Sequence, residues 1–441
     1  MTGTAAVAAA WQSQVVSDGA DAVMFAGELL SELRGRLSAS VSDLTGAVLA
    51  SGRADAVLDR LTGLDPLYLV PALEELAAQG GSDPVRALAA TALRLLRTEP
   101  EGRGPRRAET GLPVEHPLDY DWRFDSSTRA LLAGLIGVDN PSVVLLLGCP
   151  TLAAEVVRMA QVTLIDDNPA LKVPAASAAL GGAAHVKVDL LARPRVTAGL
   201  DAEVVVADPP FYPEAMRAFL HAAAAGSQLG ATLYLVLPTR WTRPSAVGDA
   251  AAALSTACDL GYERMDIWPD AARYVRPGFE RAAHRDSGLF GVPDRWRTAD
   301  TAVLRLRART SAVVPALDTD RHQWREVSVS GRRWRVRIRS EAARAAAVTD
   351  RLLAGGAPMG TVSRRDKRRA TANVITDDNR AFTTDQPALL LDVLTALASG
   401  HEVDTVVPRS LNRPVRPAEQ VALERAVAFV ETVGKSAPPP P

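Results

Sequence analysis

Residues 203–212 read EVVVADPPFY, a valine-rich run closed by an acid, two prolines and two aromatics. The β-branched density of Val204 to Ala207 fits a parallel strand buried on both faces, and it places Asp208 at the strand's carboxyl end. In open α/β sheets that edge is where ligands bind. Pro209 and Pro210 remove two backbone donors and fix two φ angles, so the turn is stiff and its carbonyls are open to hydrogen bonds. Such a turn suits an amine. The Asp208 carboxylate and the Pro209 carbonyl each accept one N–H, the nitrogen lone pair then faces an electrophilic methyl group, and Phe211 or Tyr212 stacks on the acceptor. The same residues also suit a plain strand-to-helix junction, and a motif this short does not separate the two.

Around this stretch strands alternate with helices. Strands are expected at 143–148, 162–166, 185–189, 203–208, 231–238, 263–268 and 301–307, with helices from Ser126, Thr151, Pro169, Pro213 and Ser245. The last two strands have no clear helix between them, which allows the final one to insert antiparallel. The expected fold class is therefore α/β, a doubly wound, seven-stranded Rossmann-like sheet over residues 120–310. Before it, 1–98 reads as a helical domain with helices at 20–37, 43–61 and 83–96, and the Gly- and Pro-rich 99–119 reads as a linker. After it, 320–434 reads as a small basic α+β domain. It should hold a hairpin around Ser330-Gly331, helices over 341–354 and 386–398 and a strand over 372–376. The proline tail 435–441 is expected to be disordered.

At 441 residues the chain has room for several cores. No apolar run reaches membrane-spanning length and residues 1–10 lack the pattern of a secretory signal, so the expectation is a cytoplasmic protein with no membrane partner. Cys149 and Cys258 are the only cysteines, and the 6 histidines are scattered, so no metal site is expected. The formal net charge of −1 hides an uneven distribution. Residues 321–380 carry 15 Lys+Arg against 6 Asp+Glu. That excess points toward a polyanion, although an arginine-rich composition with only four lysines weakens the weight of any single residue.

The strand at 143–148 runs into Gly148-Cys149-Pro150-Thr151, without the Gly-x-Gly-x-x-Gly of a dinucleotide site. Pyrophosphate binding is disfavoured. S-adenosyl-L-methionine carries no phosphate, and Gly148 alone suffices for close approach of its amino-acid portion. At the end of the next strand Asp166 and Asp167 are candidates for the ribose hydroxyls, and Asp189 follows the third strand, placed for the adenine amine. Each acid taken singly also fits a helix N-cap.

Together, the strand order, the ribose acid and Asp208-Pro209-Pro210-Phe211 resemble class I S-adenosylmethionine-dependent methyltransferases, above all the amino-methyltransferases of adenine. Phe124-Asp125-Ser126-Ser127-Thr128 is similar to the segment that in this superfamily closes over the methionine end of the cofactor, which implies that Phe124, Asp125 and Ser126 bind it. Two relatives pull in other directions. Gly148 to Leu152 with Asp208 to Phe211 looks like lysine methyltransferases acting on elongation factor. Asp266-Ile267-Trp268, Tyr274 and Phe279-Glu280 look like branched-chain polyamine synthases, which transfer an aminopropyl group from decarboxylated S-adenosylmethionine. Those enzymes carry an acidic run after the first-strand glycine, where this chain has Cys149-Pro150-Thr151.

The resemblance implies an amino-methyltransferase in which Asp208, Pro209, Pro210, Phe211 and Tyr212 form the catalytic turn, with adenine in nucleic acid as the leading acceptor. A base within a duplex would have to be flipped out at a cost of a few kcal/mol, offset by phosphate contacts from the loop Arg364, Arg365, Lys367, Arg368 and Arg369. That loop equally fits a solvated surface, and Trp324 and Trp334 fit a small core as well as a stacking platform. Protein lysine methylation, aminopropyl transfer and a non-catalytic binding module remain alternatives. The helical domain is the expected face for any homo-oligomer.

Overall fold

A computed structural model describes residues 19–51, 55–79, 83–99, 112, 115–119, 121–168, 171, 174–310, 324–338, 352–362 and 367–435. Its centre is an eight-stranded sheet. The strands are β1 (Arg123–Phe124), β2 (Val143–Leu147), β3 (Gln161–Asp166), β4 (Ala184–Lys187), β5 (Ala202–Ala207), β6 (Ser227–Pro238), β7 (Tyr262–Val275) and β8 (Thr298–Leu306). Their order is β1-β7-β8-β6-β5-β2-β3-β4. From β4 across to β6 every pairing is parallel, and β8 lies antiparallel between β6 and β7. The final strand therefore inserts antiparallel, but a helix does separate it from β7, Gly278–Asp286, which the sequence did not show. The eighth strand is the two-residue β1, which pairs with the far end of a β7 much longer than expected.

The central strands show why the sheet is doubly wound. Val144, Leu146, Val204 and Val206 enter one apolar cluster, while Leu145, Leu147, Val205 and Ala207 enter the other. With side chains alternating along each strand, apolar residues at both parities require cover on both faces. The chain leaves β2 toward β3 and β4, then returns to place β5 on the other side of β2. The switch point thus falls between the carboxyl ends of β2 and β5, at Gly148 and Asp208.

Helices Gly19–Ser51, Asp55–Asp59, Pro66–Ala78 and Pro84–Arg97 precede the sheet. Two helices expected at 20–37 and 43–61 are one long helix and a short one, and Pro66–Ala78 is a further helix beyond those expected. Pro66 occupies the first turn, where its missing N–H costs nothing, and Asp65 caps it. The apolar faces of these helices share one core with Trp241, Leu289, Val292 and Trp296 of the sheet region. The Trp296 indole N–H donates to the Leu64 carbonyl at 2.6 Å. At Gly291 a Cβ would lie 1.8 Å from the Leu95 oxygen, so only glycine allows this approach.

The C-terminal part is a five-stranded antiparallel sheet in the order β11-β13-β12-β10-β9: β9 (Trp324–Val329), β10 (Arg332–Arg337), β11 (Ala354–Pro358), β12 (Val374–Thr376) and β13 (Arg380–Thr383). Helices Pro387–Ala398, Val403–Leu411 and Pro417–Lys435 cover it. The hairpin expected around Ser330-Gly331 is β9–β10. The expected helix over 341–354 falls mostly on 339–351, outside the described residues, and Ala354 opens β11 instead. The tail 436–441 also lies outside them. Trp334 is fully buried in the core of this sheet against Phe382.

The basic character of this part has a local explanation. On β10, Arg332 pairs with Asp377 at 3.0 Å, Arg333 and Arg335 each pair with Glu326 at 2.7 Å, and the three arginines are buried. Arg333 and Arg335 also reach Asp119, and His116 is buried against the Ile375 carbonyl. Residues 115–119, read as the end of a linker, are therefore packed against the C-terminal sheet. Of the expected phosphate-contacting loop, Arg364 and Arg365 lie outside the described residues, as does the side chain of Lys367. Arg368 is exposed, whereas Arg369 is buried and donates to Asn379 at 2.5 Å. Arg369 is thus corrected from a surface contact to a core donor.

Candidate functional site

Two pockets meet at the switch point and share Gly148, Asp208 and Pro210 as a common wall. The smaller, of about 50 Å³, lies over the ends of β2, β3 and β4. It brings together Gly148, Asp166, Asp167 and Asp189, the residues expected to meet a cofactor, and adds Asp119 and Asp121. The larger, of about 190 Å³, lies on the other side of the Asp-Pro-Pro turn and takes in Asp208, Pro209, Pro210, Phe211 and Tyr212.

Gly148 makes this junction possible. Its N–H donates to the Ile165 carbonyl, and its φ of 71° is one that residues with a Cβ rarely adopt. A Cβ there would meet Phe219 at 2.9 Å and the Asp208 carbonyl at 3.0 Å. Gly148→Ala is expected to cost about 1–3 kcal/mol of stability and to push the Asp208 backbone out of place. Calorimetric cofactor affinity together with the unfolding midpoint checks this; a variant equal to the parent in both would remove the glycine requirement.

Asp208 follows β5 directly, and its N–H is tied to the Leu147 carbonyl at 3.0 Å. The Tyr274 hydroxyl donates to Asp208 Oδ1 at 2.6 Å. Desolvation pushes the Asp208 carboxyl up to about 8, the Tyr274 hydrogen bond opposes that rise, and the negative charge of Asp121 adds to it. The Pro210 carbonyl is taken by the Tyr212 N–H, and the Phe211 carbonyl by Arg243. Among the described residues no donor reaches the Pro209 carbonyl, so it stays available beside Asp208. Arg243 also pairs with Asp249 at 2.7 Å and lies over the Tyr212 ring at 5.9 Å, which pins the turn from behind.

Asp166 ends β3 and Oδ1 accepts the Asn168 N–H at 2.8 Å, while Asp189 accepts the Leu191 N–H at 3.0 Å. Both thus cap turns while still lining the pocket. Phe124, Asp125 and Ser126, expected to cover the cofactor, line neither pocket. Asp125 is buried as the N-cap of helix Ser126–Asp139. Burial alone would raise its carboxyl, but hydrogen bonds from Thr128 and Ser127 and the nearby Arg295 hold it below the ordinary range. Phe124 packs on Tyr274 with ring centroids 5.4 Å apart, and Ser126 accepts from Arg295 at 3.3 Å.

The far wall of the larger pocket was not legible residue by residue. Asp65 and Tyr68 come from the N-terminal helices, Glu280 and His284 from helix Gly278–Asp286, Arg297 from the edge of β8, and Thr361 from the C-terminal part. Arg297 donates to Glu280 and, at 3.3 Å, to Asp65, and its guanidinium lies 4.5 Å over the Trp122 ring. Although burial works against its charge, Glu280 and Asp65 hold Arg297 more firmly protonated than usual. Burial raises the Glu280 carboxyl despite Arg297. Burial, then Arg276 and Arg297, keep His284 neutral at physiological pH. Only the stretch from Tyr274 to Glu280 was visible beforehand, through resemblance; charged residues contributed from three distant segments leave no local pattern.

No family model matches the chain, and no curated protein matches it. Among solved structures it is similar to the branched-chain polyamine synthase of Thermus thermophilus, with 15% identity and a TM-score of 0.43 over 66% of this chain and 96% of that one. It is also similar to the N-methyltransferase NodS of Bradyrhizobium japonicum, with 12% identity and a TM-score of 0.30 over 42% of this chain and 99% of that one. TrmN of Thermus thermophilus matches with 14% identity and a TM-score of 0.28 over 41% of this chain and 52% of that one.

Proposed function

We propose that the protein transfers the methyl group of S-adenosylmethionine to an amine nitrogen, and that Asp208 holds that nitrogen. The observation that carries this reading is the position of Asp208 in the wall common to the two pockets, next to a glycine that only a Cβ-free residue could be. The residues present fit the cofactor: Gly148 leaves room at the first turn, and Asp166 and Asp167 offer acceptors at the end of β3. When bound there, S-adenosylmethionine supplies an activated methyl group on a positively charged sulfur. The protein's part is positioning. Asp208 and the Pro209 carbonyl accept the two N–H bonds of the amine, Phe211 and Tyr212 flank it, and Asp208 takes the proton lost after transfer.

The acceptor is an amine-bearing group small enough for about 190 Å³, an exocyclic amine such as that of adenine or a side-chain amine. The internal pairing of Arg332, Arg333 and Arg335 lowers the charge the C-terminal part offers a polyanion, so a nucleic acid would have to be held chiefly by other cations. One observation favours a second reading, aminopropyl transfer. The cofactor pocket is lined by Asp119, Asp121, Asp166, Asp167, Asp189 and Asp208, and no basic residue is among its described lining. A cofactor lacking a carboxylate suits such a field. Calorimetric titration with S-adenosylmethionine and with its decarboxylated form tests both. Preferred binding of the intact cofactor supports methyl transfer, preferred binding of the decarboxylated form moves the assignment to aminopropyl transfer, and binding of neither rejects both.

The Asp208 carboxyl must be ionised to accept the amine, so kcat/KM is expected to rise with pH up to about 8 and then level. Tyr274→Phe removes the hydrogen bond that favours the carboxylate, so the rising limb should move to higher pH. An unmoved limb would assign it to another group. The stability linkage runs the other way. The folded-state value lies above the ordinary 3.8, so the stability this group contributes is complete below that value and is lost as pH rises toward about 8.

A further inference from the structure

The acceptor pocket holds a carboxylate that Asp208 chemistry does not use. Glu280 is 1% exposed, lines the same pocket, and has its Oε1 occupied by Arg297. Its Oε2 is buried without a hydrogen-bond partner. Nearby His284 does not fill the gap, since its Nε2 stands 3.8 Å from Oε1 and its Nδ1 faces Arg276 at 3.3 Å. A buried carboxylate oxygen left unpaired is costly, and an oxygen held in that state beside a ligand-sized space is set to receive a donor. Trp122 lines the same pocket and touches the partners of both acids. Its ring meets Tyr274, the donor to Asp208, at 6.5 Å and lies under Arg297, the partner of Glu280.

We propose that Glu280 is a second anchor for the acceptor, its Oε2 receiving a hydrogen bond from a nitrogen other than the one that reacts. The acceptor class is therefore a molecule with two hydrogen-bond-donating nitrogens, one held by Asp208 and the other by Glu280, in the pocket that both line. This deepens the amine-transfer reading and rests on it for the role of the Asp208 end. Arg297, itself held by Asp65, anchors Glu280 through Oε1 and leaves Oε2 as the unpaired oxygen, which makes the spacing between the two anchors a selection on acceptor shape.

Two matched probe pairs, each differing in one donor nitrogen, test the anchor by calorimetry without cofactor: adenine against 2,6-diaminopurine, and n-butylamine against 1,4-diaminobutane. The parent protein should bind the two-donor member of at least one pair about ten-fold more tightly, the scale of one hydrogen bond to a charged group. Glu280→Gln keeps the side-chain volume and should erase that preference. A merely structural role would lower the unfolding midpoint but leave the ratio within each pair unchanged. No preference in the parent, or a preference retained in Glu280→Gln, overturns the proposal. S-adenosylmethionine is titrated separately into both proteins. Failure of that binding with the probe preference intact would reject the transfer reading and leave the anchor standing.

Discussion

Replacing Asp208 by alanine should lower kcat by about 10²- to 10³-fold, the scale found when a preorganised polar group at a reacting centre is removed. S-adenosylmethionine affinity should stay within a few-fold of the parent, because Gly148, Asp166, Asp167 and Asp189 still line the cofactor pocket. The loss has two sources. The amine loses the acceptor that orients its lone pair, and the proton released on transfer loses its first destination. Asp208→Asn separates them, since it keeps a carbonyl acceptor at the same place but takes no proton at neutral pH. It should fall between the parent and the alanine variant. Single-turnover rates measured with saturating cofactor decide the matter, and an alanine variant with parental turnover would sink the assignment.

The second large effect is on stability. Arg297 joins Glu280 and Asp65, and its removal leaves two acids of the pocket wall without their shared cation. Breaking a buried pair from one side typically costs about 3–5 kcal/mol, and Arg297→Leu is expected at the lower end because its side chain is 21% exposed. The loss of the guanidinium over Trp122 adds to this. Denaturant unfolding should show a lower midpoint with an unchanged slope. Adding Glu280→Leu should recover part of the loss, since the stranded carboxylate is then gone. A single variant within 1 kcal/mol of the parent would mean that water already screens the pair.

The sheet was legible because its signal is local. The valine and leucine runs of β2 and β5 fit strands buried on both faces, and the punctuation after them marks the edge where Gly148 and Asp208 sit. The Asp-Pro-Pro turn was legible for the same reason, since Asp208 to Tyr212 lie in one unbroken segment. The acceptor pocket was not. Asp65, Glu280, Arg297 and Thr361 are brought together only by docking of the N-terminal helices and the C-terminal sheet, and no spacing in the sequence encodes that meeting. The segment 124–126 lines neither pocket, and its sequence reads two ways. An Asp before Ser-Ser-Thr reads alike as a cofactor contact or an N-cap, and the backbone N–H of Thr128 claims it. The basic excess of 321–380 was likewise overweighted, because sequence counts charges without showing that Glu326, Asp377 and Asp119 lie within reach of the β10 arginines.

The walls of the two pockets have different origins in the chain. Apart from Asp119, every described wall of the cofactor side comes from residues 121–219, whereas the acceptor side is finished by residues near 65 and near 361. On the proposed reading, changes in the outlying segments can therefore alter which amine enters without touching the donor of the transferred group. On that reading, divergence of acceptor choice among descendants of such a chain would be written in its two ends, while the proposed transfer stays recorded in its middle.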